Sequence, residues 1–222
     1  MPKSRKLNPI ERADLKLAHK VALEEESATG RLVGKFAELG DQPPMRLLCG
    51  ATIAAGAARG DRRLFRAGLR MLAAHSLATM AKAFVKDAVD RARPGDAKVR
   101  KEYRVKPGRS TAHRLQSMPS GHSAGVVAVA AAALADYPAV AAPALAGSVA
   151  VVGAQLPSRN HFLSDVAVGS AIGLAAFGLT YLLLPPLESE SGSSASAALR
   201  SSTRSIFSHG NRSPSALRPK WP

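Results

Sequence analysis

The chain has 222 residues, 31 of them Lys or Arg against 16 Asp or Glu, for a formal net charge of +15. That length builds one domain with a sizeable core and is short for two, and a lone Cys49 in an apolar run excludes an internal disulfide. The charge points to polyanions: nucleic acid, anionic lipid headgroups or phosphorylated substrates.

Residues 1–44 mix Lys, Arg, Glu and Asp and contain no apolar core of a signal peptide. Within them "ERADLKLAHKVALEEE" spaces Leu15, Leu17, Ala18 and Val21 among charges. This predicts an amphipathic, surface helical region that Pro43 and Pro44 of "GDQPP" bring to an end. Apolar segments then follow at 45–58, 67–85, 121–136, 139–156 and 166–184. From Tyr137 to Ser158, and again from Val166 to Leu187, the only ionisable side chains are Tyr137 and Tyr181. Each of those two runs is roughly the 20 residues a bilayer-spanning helix needs. The other three are Ala-rich and only moderately hydrophobic, so a buried soluble helix is the alternative for each. Five such segments in succession favour an all-α, membrane-embedded bundle of about five core helices.

The connections are polar. "RGDRRLFR" reads as a basic turn, and the helix after it is expected to run from Leu64 to Arg91. A long polar loop leads from Arg93 to Pro119, "DYP" breaks the third apolar helix from the fourth, and "SRNHFLSD" enters the fifth. No repeat and no strand pattern stand out. Gly169 and Gly173 form a small-xxx-small pair suited to close helix approach. From Glu188 the chain is Ser-rich and low in complexity, a composition that predicts disorder. The division is therefore an N-terminal region, 1–44, a helical bundle, 45–187, and a basic tail, 188–222.

Three islands of polar chemistry interrupt the apolar helices. In "KDAVDRARP", Lys86 and Arg93 are seven apart, so a continuous helix would point both the same way, as a clamp for phosphate. In "PSGH", Ser120 and Gly121 open a helix whose free N–H groups suit an anion, and His122 stands in the first turn to give or take a proton. In "SRNHFLSD", His161 and Asp165 are four apart, so the carboxylate can orient the imidazole as a nucleophile or base. Each island alone has an ordinary explanation: a solvated helix end, a helix cap, a structural pair. An up-and-down bundle brings all three to one end, and chance explains one island better than three.

The ordered set K-x6-RP (Lys86, Arg93, Pro94), PSGH (Pro119–His122) and H-x3-D (His161, Asp165) resembles the signature of the type-2 phosphatidic acid phosphatase superfamily. That family includes lipid phosphate phosphatases, bacterial acid phosphatases and vanadium haloperoxidases. The resemblance covers Lys86 to Leu184 and implies a helical core, no metal or other cofactor for the phosphatases, and a phosphohistidine intermediate. It implies that His161 attacks phosphorus, that Asp165 orients it, and that His122 protonates the leaving group and then activates water. Lys86, Arg93 and the Ser120–Gly121 backbone would hold the phosphoryl oxygens. One departure stands in the third motif. The family places an arginine six residues before the histidine; here that position is Gln155, and the nearest arginine is Arg159. Arg159 is expected to take over its role.

The leading expectation is therefore a multi-pass membrane phosphatase, of the bacterial inner membrane by its Ala, Arg and Gly content, acting on phosphatidate or a polyprenyl diphosphate. A catalytically degenerate relative and a basic membrane-binding protein are the alternatives. A vanadium haloperoxidase fits less well, because the chain lacks the large soluble bundle those enzymes resemble. The sequence carries no nucleic-acid motif and no signal of oligomeric state. The positive-inside rule gives opposing answers for the site's side: residues 59–66 and the tail place it outside, the loop 98–114 and the N-terminus inside. His19, His75, His113 and His209 are assigned no chemistry.

Overall fold

The structure, a computed structural model, describes residues 7–96 and 105–186; the tail at 188–222 and residues 97–104 of the polar loop lie outside them. The N-terminal region forms two helices. Helix α1, Pro9–Val21, opens with a capping box: Asn8 accepts the Glu11 N–H at 2.8 Å and Glu11 accepts the Asn8 N–H at 2.9 Å. Its buried side holds Ala18 and, unexpectedly for a surface helix, Glu11 and Asp14. Helix α2, Ala28–Ala37, is capped by Ser27, and a 3-10 turn over Glu38–Gly40 leads to α3, Gln42–Arg59. The expectation that Pro43 and Pro44 end the preceding region needs correction, because they lie in the first turn of α3. There a missing N–H leaves no bond unmade and the fixed φ suits the helix.

Gly60, with φ 65°, closes α3, and Asp61 caps α4, Arg62–Lys86, by accepting the Leu64 N–H at 2.9 Å. Of the basic residues expected in a turn, Arg59 thus ends α3, and Arg62, Arg63 and Arg66 belong to the first turns of α4. The expectation of one helix as far as Arg91 also needs correction. Helix α4 stops at Lys86, the chain turns at Asp87 and Ala88, and strand β1, Val89–Arg91, pairs antiparallel with β2, Val105–Pro107. Two three-residue strands are too short to show alternation in the sequence. Their importance is positional: the Arg91 carbonyl accepts the Ser117 N–H at 3.0 Å, which fixes the loop ahead of the second motif.

Helices α5, Gly121–Asp136, α6, Ala141–Ala154, and α7, Leu163–Leu183, complete the bundle. Helix α4 packs on α3, α5 and α7, and α5 on α7. Their shared core is built mainly from alanines (Ala74, Ala78, Ala124, Ala128, Ala132, Ala176) with Cys49, Met71 and Val129, so the helix axes approach closely. Helix α7 is long and apolar enough to cross a membrane, whereas α5 and the stretch 142–154 are apolar but shorter.

Candidate active site

The end of α4, the start of α5 and the turn before α7 meet at one end of the bundle. The most direct link is a main-chain bond, from the Ser120 N–H to the Asp165 carbonyl at 3.0 Å. Ser120 is fully buried, and its Oγ accepts from the Ser123 N–H at 3.3 Å and the Ser123 hydroxyl at 2.9 Å. Its backbone N–H and side chain are therefore both engaged in structure. The N–H groups that open α5 toward the site are those of Gly121 and His122, which as the first two of the helix have no intrahelical acceptor.

His161 does not sit on α7 but two residues ahead of it, since the helix begins at Leu163. It is almost fully buried at 1% exposure. Its Nδ1 lies 2.7 Å from the Ser117 carbonyl oxygen, which can only accept, so Nδ1 carries the proton and Nε2 carries the lone pair. Asp165 Oδ2 is 3.9 Å from that Nδ1, beyond hydrogen-bond distance. The carboxylate instead accepts from the Ser117 hydroxyl at 2.6 Å, from the Phe162 N–H at 2.8 Å and from Arg91. Asp165 thus holds both flanks of the imidazole, Ser117 and Phe162, and reaches His161 through them as well as through its charge. Burial pushes the His161 imidazole below the ordinary histidine range; Asp165 pulls the other way, and Arg93 and Lys86 add to the depression.

His122 faces His161 edge to face, with ring centroids 6.0 Å apart. Its Nε2 lies 3.8 Å from a carboxylate oxygen of Asp41, the residue just ahead of α3. Around the pair stand the cations. Lys86 Nζ donates to the Gln116 carbonyl at 3.0 Å, and Arg93 donates from Nε to the His113 carbonyl at 3.2 Å and from Nη1 to the Asn160 carbonyl at 3.3 Å. Lys86 and Arg93 come together although they share no helix, because β1 turns the chain back between them. His113 is exposed, and Arg93, burial and Lys86, in that order, lower its affinity for a proton.

The third-motif departure has a clear structural form. Gln155 is fully buried and points its amide at α2, donating to the Ala37 carbonyl at 3.0 Å and to Val151 at 3.3 Å. Arg159 is half-buried in the turn between α6 and α7 with φ 59°, and its Nε is buried without a hydrogen-bond partner.

Sequence reasoning missed two side chains here. Arg91, 3% exposed, binds Asp165 on one side and Asp14 of α1 on the other at 2.6 Å, and lies 4.6 Å over the Phe162 ring. Asp14 also accepts the Ser164 N–H at 3.0 Å. No local signal marks Asp14, because one acid in a charged amphipathic helix reads as solvated. Arg91 is obscured by the expected continuation of α4.

Residues 67–188 match the PAP2 superfamily. The fold is similar to the crystal structure of a transmembrane PAP2-type phosphatidylglycerolphosphate phosphatase from Bacillus subtilis, with a TM-score of 0.56 and 19% identity, covering 80% of this chain and 87% of that one. No curated protein matches the sequence. With more than half its length matched by that family, and the three motifs at one end of a helical bundle, the chain belongs to the PAP2 superfamily.

Proposed function

We propose that the protein is a metal-independent phosphatase that hydrolyses a phosphomonoester or diphosphate of a lipid through a phosphohistidine intermediate. The observation that carries this reading is the facing pair His161 and His122, with the Nδ1 proton of His161 held by a carbonyl so that Nε2 is the free nucleophile. In the first step Nε2 of His161 bonds to phosphorus while the bond to the leaving oxygen breaks, and the imidazolium of His122 supplies that oxygen's proton. In the second, His122 takes a proton from water as the water oxygen attacks phosphorus; the P–N bond breaks, releasing inorganic phosphate and restoring His161. Asp165 orients the nucleophile. Lys86, Arg93 and the N–H groups at Gly121 and His122 hold the phosphoryl oxygens, with Ser120 shaping their turn. Arg159, in the turn next to His161, is assigned to the same oxygens.

The lipid part of the reading rests on the outer surface of the bundle. Leu47, Met80, Phe84, Val149 and Leu182 are 73%, 69%, 81%, 64% and 78% exposed, spread over α3, α4, α6 and α7. An apolar surface that wide, on several helices, suits lipid better than water. The relative of known structure is itself named as a transmembrane enzyme acting on phosphatidylglycerolphosphate. We therefore assign α3 to α7 to the bilayer, with the site at one interface and a lipid phosphate as substrate.

The test is phosphate release by purified protein in mixed micelles from phosphatidate, phosphatidylglycerolphosphate, a polyprenyl diphosphate and a water-soluble phosphomonoester, with and without chelator. Chelator-resistant release, with acid-labile phosphate on His161, is the expected result. Phosphate binding without turnover on any of these would identify a degenerate relative, a reading favoured only by the neutral Gln155.

A further inference from the structure

Gln155, turned toward α2, puts a neutral residue where the family pattern has a cation. The face of α4 that meets α5 supplies another. His75, Lys82 and Lys86 are seven and four residues apart and share that face. The two helices run antiparallel, and glycines of α5 mark where these side chains lie. A Cβ on Gly125 would come within 3.2 Å of the His75 ring, and a Cβ on Gly121 would lie 2.6 Å from Nζ and 3.1 Å from Cδ of Lys82. The Lys82 stem therefore crosses the first turn of α5, and its ammonium rests beside Gly121, next to His122.

The Lys82 charge is felt at both Lys86 and His122. Among the described residues Lys82 has no hydrogen bond and no close ion pair, although Asp41 and Arg46 lie within electrostatic range. The side chain is half-buried, which is costly for an ammonium with no acceptor in contact. A phosphoryl oxygen between the two histidines would supply that acceptor.

We propose that Lys82 is a phosphate ligand of this site, a further cation beside Lys86, Arg93 and Arg159, set over the Gly121 turn. The proposal rests on the phosphatase reading above, and it adds a charge from the last turns of α4 to the one assigned to Arg159 in the turn before α7. As a flexible point charge with three donors, the lysine can follow the phosphoryl group from its ester to the phosphoenzyme. The ordinary alternative is a lysine that merely extends along the helix to place its charge at the bundle end.

The experiment uses the full chain in detergent, with inorganic phosphate as the probe, because phosphate binding requires no turnover. Calorimetry gives the dissociation constant for wild type, Lys82→Gln and Lys82→Arg. Acylation of Lys82, read by mass spectrometry with and without phosphate, reports its occupancy in the unsubstituted protein. Removing one charge-assisted hydrogen bond to the phosphoryl group should weaken phosphate binding and kcat/KM by about 10- to 100-fold in Lys82→Gln. Lys82→Arg should restore most of the affinity, and phosphate should shield Lys82 from acylation. Binding by Lys82→Gln within about twofold of wild type, or acylation unaffected by saturating phosphate, overturns the proposal. The phosphatase reading fails by a different sign: a wild-type protein that binds phosphate but releases none from any ester and never labels His161.

Discussion

Arg70 and Arg91 are both buried beside aspartates, at opposite ends of the bundle. Arg70, at 0% exposure, meets Asp136 at the end of α5 and gives its Nε to the Leu184 carbonyl at 2.6 Å, while Arg63 reaches the Asp136 carbonyl. Every partner there is a carbonyl at a helix end or a carboxylate with no reactive neighbour, so the cluster ties α4, α5 and the end of α7 together. Arg91 has a similar composition, a guanidinium between Asp14 and Asp165, but its second carboxylate also holds the two residues that flank a histidine. A buried ion pair is thus read by what the carboxylate's remaining lone pairs touch. At one end they touch structure only; at the other they touch the two residues packed beside His161.

The comparison can be broken first at the chemical end. His161→Ala is expected to lower turnover more than about a thousandfold, or about 4 kcal/mol, and to abolish the phosphoenzyme. His122→Ala should also be slow but leave label trapped on His161, because it removes acid–base help rather than the nucleophile. Rapid-quench labelling separates the two, and substantial turnover in His161→Ala would end the mechanism. At the structural end, Asp136→Ala strands a buried guanidinium and should cost about 3–5 kcal/mol of stability, whereas the double replacement Arg70→Leu with Asp136→Leu should recover most of it. Denaturant unfolding measures both, and KM at a permissive temperature should stay at the wild-type value.

Asp14→Asn sharpens the contrast. It keeps the shape of α1 but weakens the hold on Arg91, whose charge then bears more heavily on Asp165. We expect kcat to fall about tenfold with KM nearly unchanged, on the order of 1.4 kcal/mol. An effect on thermal unfolding alone would make Asp14 a second Asp136. The smallest effect is in pH. Because burial lowers the His161 pKa, the free enzyme keeps Nε2 unprotonated down to below the ordinary 6.5. The acid limb of kcat/KM governed by this histidine should therefore lie below pH 6.5, with activity lost as pH falls through it and regained as pH rises. An acid limb of His161 above pH 6.5 would contradict the burial argument.

Much of this arrangement is legible in the sequence because it depends on local patterns. Uncharged runs give the positions of α5, α6 and α7 to within a few residues, and Tyr137–Pro138 marks the break between α5 and α6. The motif spacing places Lys86, His122 and His161 on elements that converge. What escapes depends on long-range pairing. Asp14 meets Arg91 across 77 positions, and nothing near either residue announces the other. The strand pair β1–β2 is held by six residues, too few for a periodic signal. Lys82 is within reach of inspection, four residues before Lys86 on the same helical face, but a lysine near a helix end reads as solvated until its neighbour is seen to be Gly121.

The seam between α5 and α7 has consequences for which changes the molecule can accept. At Gly169 an added methyl group would strike the carbonyl of Ser120, and at Gly173 that of Ala124. Neither neighbour is a side chain that can rotate away; both are main chain, and Ser120 belongs to the turn that carries His122. Enlarging a residue eight positions beyond His161, on the face of α7 packed against α5, is thus expected to shift the two imidazoles relative to each other. Such a variant would resemble an active-site lesion in its kinetics while leaving every reacting group in place. On the outer side of the same helix, Leu174 and Leu179 are about half exposed, at 56% and 48%, and their replacement by other apolar residues should pass almost unnoticed. The permissible variation of α7 therefore changes sharply from one face to the other, and the closed face is the one that seats the turn carrying His122.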